Sequence, residues 1–120
     1  MKKLHSFLLI SSLILFCACD SGSHSMLNGK WVTQKKFRGV PYVILTINME
    51  GSTVHMKYDP EGERQYYQGV SNPKTYNAIG KYIGDDQYEM SNGMILQYYK
   101  ENDQLYLKRN DWSQQYLRDQ

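Results

Sequence analysis

From Tyr42 to Met49 the chain alternates, with Val43, Leu45, Ile47 and Met49 on one face and Tyr42, Ile44, Thr46 and Asn48 on the other. A period of two is the mark of a strand that turns one face to a core. The next run repeats it, with Val54, Met56 and Tyr58 inward and Thr53, His55 and Lys57 outward. The short link Glu50-Gly51-Ser52 makes the two runs a predicted β-hairpin. Further short runs follow at 63–69, 74–83, 87–90, 94–100, 104–109 and 112–118, and one precedes at 30–37. Turn-forming residues separate them: Ser71-Asn72-Pro73, Asp85-Asp86, Asn92-Gly93 and Asn110-Asp111. This amounts to eight or nine strands about ten residues apart, and no stretch after residue 25 carries a sustained helical period. The expected fold class is all-β: a small antiparallel up-and-down β-barrel of about eight strands, closed so that no edge strand is exposed. A β-sandwich is the alternative.

The start of the first strand carries a motif. Asn28-Gly29-Lys30-Trp31-Val32 resembles the Gly-x-Trp sequence that opens the first strand of lipocalins, and Leu27, Gly29 and Trp31 match the Leu-x-Gly-x-Trp of small lipocalin-like domains in bacterial lipoproteins. The resemblance implies that Trp31 closes one end of the barrel and that an arginine near the last strand packs over it. Arg118 is the positional match, with Arg109 as the substitute. Gly29, Trp31 and Arg118 are therefore expected to be structural. The chain is shorter than a lipocalin and lacks a counterpart of that family's Thr-Asp-Tyr motif. Short strands make a short barrel, and Met49, Met56, Met90, Met94 and several tyrosines are available to fill it.

Before the strands comes a different pattern. Lys2 and Lys3 precede an apolar run, Phe7 to Phe16, broken only by Ser11 and Ser12. That run is too short to span a bilayer, which takes about 20 residues, and it fits the apolar region of a secretory signal peptide. It ends at Cys17-Ala18-Cys19, which resembles the lipobox of bacterial lipoproteins. Cys19 follows the small Ala18, whereas Cys17 follows the bulky Phe16, so Cys19 is the expected lipidation site. A Cys17–Cys19 disulfide would close a strained ring, and this spacing lacks the partners of a metal site. The resulting division is a signal peptide at 1–18, a lipidated cysteine and flexible tether at 19–26, and a barrel domain at 27–120. The resemblance implies a bacterial envelope location, lipid-anchored to the inner or outer membrane. Asp20 is the residue that, in enterobacterial lipoproteins, signals inner-membrane retention. The tether would reach on the order of 15 Å.

This division changes the charge. The whole chain has 14 basic and 12 acidic side chains, and losing Lys2 and Lys3 leaves the two signs balanced. The charges are interspersed, so there is no electrostatic footprint for nucleic acid.

Catalytic chemistry is poorly supplied. His24 lies in the tether and reads as a solvated spacer; His55 falls on the outward face of its strand. Asp59, Glu61 and Glu63 cluster around Pro60 and Gly62 without calcium-loop spacing, which reads as a solvated turn. The expectation is no enzyme, no cofactor and no metal site. Binding is better supplied. Arg64, Tyr66, Tyr67 and Tyr76 gather around a loop containing Gly69, Asn72 and Pro73, and tyrosine and arginine are enriched where partners bind. In a strand, one of Tyr66 and Tyr67 would face the core and the other would not. The expected function is a membrane-anchored, non-catalytic module for a protein or glycan partner. The alternatives are a lipocalin-like carrier of a small apolar ligand and an inhibitor or immunity-type lipoprotein.

Overall fold

The computed structural model describes residues 24–68 and 73–120; Cys17, Cys19 and the signal segment lie outside the described residues, as does most of the turn at 70–74. Among the described residues ten strands form in chain order: β1 (Gly29–Val32), β2 (Lys36–Phe37), β3 (Val40–Pro41), β4 (Ile44–Glu50), β5 (Thr53–Asp59), β6 (Tyr76–Gly84), β7 (Gln87–Met90), β8 (Ile95–Tyr99), β9 (Gln104–Arg109) and β10 (Trp112–Arg118). Eight of them close into an antiparallel barrel in the order β1-β10-β9-β8-β7-β6-β5-β4, with β1 also paired to β4. The fold is the small, lipocalin-like up-and-down barrel, and closure excludes the sandwich.

Alternation decides what lies inside. Val43, Leu45 and Ile47 are buried, as are Val54 and Met56, and the register sets Leu45 opposite Tyr58 and Ile47 opposite Met56. Leu96, Leu105, Leu107 and Tyr116 complete the interior from the other side. Each residue of this set removes its apolar surface from water, at about 25 cal/mol per Å². The turns follow residue chemistry. Asp85 and Asp86 both take left-handed backbone between β6 and β7, at φ of 54° and 57°, a conformation that Asp tolerates better than most side chains.

Three expectations need correction. The run at 63–69 is not a strand: Glu61–Tyr66 is a helix, α1. Six residues are too few to display a helical period. Glu61 and Glu63 sit in its first turn and Arg64 in its last, the favourable sense for the helix dipole. The run at 30–37 is two pieces, because β2 leaves the barrel to pair only with β3 across Arg38 and Gly39. Both turn residues have positive φ, 50° and 81°, as a two-residue hairpin turn requires. Third, His24 is not a solvated spacer but is 4% exposed. It precedes a single 3₁₀ turn, Ser25–Leu27, that lays Leu27 into the core.

Candidate functional site

The strands run alternately up and down, so the connections gather at two ends. The first end is where the chain enters β1. There Trp31 is fully buried and its indole Nε1 donates to the carbonyl of Leu27 at 3.0 Å. The Arg118 guanidinium lies over the indole, 4.2 Å from the ring centre. Arg118 also grips Asp103 with two donors, at 2.8 and 3.0 Å, and donates to the carbonyls of Met26 and Asn28. This pairing holds the Asp103 carboxyl below its usual range and raises Arg118, chiefly through the hydrogen bonds between them. Gly29, at φ 125°, lets the backbone pass beside Arg118 in a conformation closed to other residues. His24 sits against the ring of Tyr82 and meets the Tyr88 hydroxyl at 2.5 Å. Gly29, Trp31 and Arg118 thus come together as one closure.

The opposite end is covered by α1 and the β2–β3 hairpin. Gly62 fixes how close they come: a Cβ there would collide with the carbonyl of Pro41. The Glu63 amide donates to the Tyr42 carbonyl at 3.3 Å. Of the four residues expected to form a binding site, three lie on or beside α1. Tyr66 and Tyr67 are both exposed, by 53% and 42%, because a helix places adjacent residues about 100° apart rather than on opposite faces. Their rings meet edge to face at 4.7 Å, and Tyr66 also contacts Phe37 and Tyr42. Arg64 is less free. It donates to Asp59 at 2.7 Å and to Thr75 at 3.2 Å, tying the helix to the ends of β5 and β6.

Tyr76 does not join them. It stacks on Tyr58 with centroids 4.7 Å apart, facing the interior. Tyr116 is fully buried beside this pair. Burial pushes the Tyr58 phenol up to about 12 and raises Tyr76 and Tyr116, while burial also raises the Glu63 carboxyl. Tyr76 therefore belongs to the core of this end rather than to its surface.

Phe37, Arg38 and Tyr42 were missed as members of the site. Together with α1, Phe37 and Arg38 frame an open depression of about 290 Å³, lined also by Glu61, Arg64, Gln65 and Gln68. The signal was present in Arg38-Gly39, a two-residue turn between short apolar pieces. Among the described residues no group of three or more His, Cys, Asp or Glu is placed to hold a metal ion, and no helix is long and apolar enough to cross a membrane.

The class defined by these observations is a small closed β-barrel with an aromatic surface at one end. The chain matches no protein-family model, and no curated protein or solved structure matches it.

Proposed function

We propose that this protein is a lipid-anchored module of the bacterial envelope that binds a protein partner without catalysis, through the aromatic surface at the α1 end. One observation carries the reading: the exposed rings of Tyr66 and Tyr67, with Phe37 and Arg38 beside them, stand at the end opposite to where the chain enters the barrel. A lipid on Cys19 holds the Trp31 end toward the bilayer. The α1 end then projects away from it, roughly 20 Å further along strands of seven residues. Large rigid rings beside arginine give contact area at little cost in side-chain entropy, which favours a protein partner.

The carrier reading has less support. Trp31, Leu45, Met56, Leu96, Leu105 and Tyr116 occupy the interior at under 2% exposure, and an apolar guest would have to displace them. The test has two arms. Palmitate labelling of the full chain should vanish in Cys19→Ser, and labelling that survives contradicts the anchor. Affinity capture from envelope extract with the full chain should yield a discrete partner that is lost in the Tyr66→Ala, Tyr67→Ala double variant. Retention of the same partner by the double variant contradicts the surface.

A further inference from the structure

The outer wall of the barrel across β7, β8, β9 and β10 differs from the rest of the surface. The register sets Gln87 opposite Gln97, Gln97 opposite Tyr106 and Tyr106 opposite Gln115, so a row of three amides and one phenol crosses four strands. These side chains alternate with the buried Tyr88, Leu96, Leu105 and Tyr116 and therefore face outward. In the adjoining row stands Lys108, paired with Ile95 on one side and Ser113 on the other.

Lys108 is held in place by neutral groups. Its ammonium donates to Gln97 Oε1 at 3.1 Å and to the Tyr99 hydroxyl at 2.9 Å. It lies 5.4 Å from the Tyr99 ring centre and 5.9 Å from that of Tyr106. Gln97 is itself fixed, accepting from Gln87 Nε2 at 2.9 Å and donating to the Asp85 carbonyl at 3.3 Å. No carboxylate among the described residues forms an ion pair with Lys108. An ammonium has three donors, and two are used. A positioned, half-buried cation is thus left with a spare donor and no ion-pair partner among the described residues. Two shallow depressions meet at it, of about 370 and 360 Å³, one bordered by Tyr99, Tyr106 and Ser113 and the other by Gln87 and Ile95.

We propose that this wall binds an acidic saccharide, with its carboxylate on Lys108 and a sugar ring against Tyr106. Charge complementarity selects the anion. The row of amides, curving round the wall, can meet a chain of hydroxyls, each able to donate and accept, while the tyrosine rings offer faces to the C–H side of a pyranose. An acidic peptide would satisfy Lys108 but leave the amide row to compete with water. The site is on the barrel wall, separate from the α1 surface, and does not depend on the reading of that surface.

The test uses the full, isotope-labelled chain in detergent micelles, titrated with tetragalacturonate and with the methyl ester of the same tetramer. Amide shifts should concentrate on β8 and β9, and the ester should bind about tenfold more weakly, the scale of one lost charge-assisted contact. Lys108→Gln should abolish that difference between acid and ester. Tyr106→Leu, which keeps apolar cover on the wall, should weaken both ligands; Tyr66→Ala should change neither. Both wall variants are checked for native amide dispersion, and Lys108→Gln alone decides the charge assignment. Absence of shifts on this wall, equal binding of the acid form by Lys108→Gln, or equally tight binding of tetraglutamate would overturn the proposal.

Discussion

The two ends of this barrel are closed by different chemistry. At the Trp31 end the closure is interlocked: Arg118 covers Trp31, grips Asp103 and satisfies two carbonyls of the incoming chain. At the α1 end a short helix and a two-stranded hairpin are laid over the opening, with Gly62 at the close approach and Arg64 as the tie to Asp59. The first arrangement spends its polar groups on itself and leaves few to meet a partner. The second leaves two tyrosine rings in water. The interlocked closure and the exposed aromatic rings thus lie at opposite ends, with the chain entering at the interlocked one.

Substitutions should separate the ends, beginning with the largest effect. Trp31→Ala empties the fully buried centre of the first closure and should cost about 3–5 kcal/mol, read by denaturant unfolding. A small loss would mean that the closure is not the anchor of the fold. Gly62→Ala should cost about 1–3 kcal/mol through overpacking against Pro41. Its effect should be local: amide exchange should rise in α1 and the β2–β3 hairpin while β8 and β9 keep their protection. Uniform loss of protection would show that α1 is part of the cooperative core.

The ends should also fail at opposite extremes of pH. At the α1 end the folded state holds the Tyr58 phenol up at about 12, mainly by burial and further by Glu63 and Tyr76, against about 10 for an unfolded tyrosine. A raised value means the contribution is whole below pH 10 and is lost as pH climbs from about 10 toward 12. Tyrosinate absorbance should therefore appear for most rings before the step that accompanies unfolding. At the Trp31 end the Asp103 carboxyl is depressed, mainly by hydrogen bonds from Arg118. Its contribution is present above the ordinary carboxylate range and is lost as pH falls through and below about 4. Asp103→Asn should remove about 0.5–1 kcal/mol at neutral pH, modest because the pair is partly exposed, and should flatten that acid step. Tyr66→Ala should be the smallest, within about 0.5 kcal/mol on stability, since its ring is more than half exposed.

The barrel was legible because alternation is a local property. Val43, Leu45, Ile47, Val54 and Met56 announce their face within a few residues, and the number of such runs pointed to a barrel while leaving a sandwich open until the β1–β4 pairing closed it. The closure at Trp31 was legible through a motif, since nothing in spacing alone brings Arg118 to Trp31 across the whole length of the barrel domain. What failed was either short and local or assembled only by distant pairing. Tyr66 and Tyr67 were read on a strand, where one must point inward; six helical residues gave no period to argue otherwise. His24 looked like a spacer because its partners, Tyr82 and Tyr88, are far away in sequence and meet it only once the barrel closes. The row Gln87, Gln97, Tyr106 and Gln115 was invisible for the same reason, since only the register between four strands assembles it.

The opposition of the two ends is most directly tested by site-specific photo-crosslinking in intact cells, with a photoreactive side chain placed at Met26 or at Tyr66 in otherwise native chain. Both positions are exposed, by 52% and 53%. Lipid adducts are expected from position 26, and a discrete protein adduct without lipid from position 66. Lipid adducts from position 66, or the same adducts from both positions, would contradict that opposition.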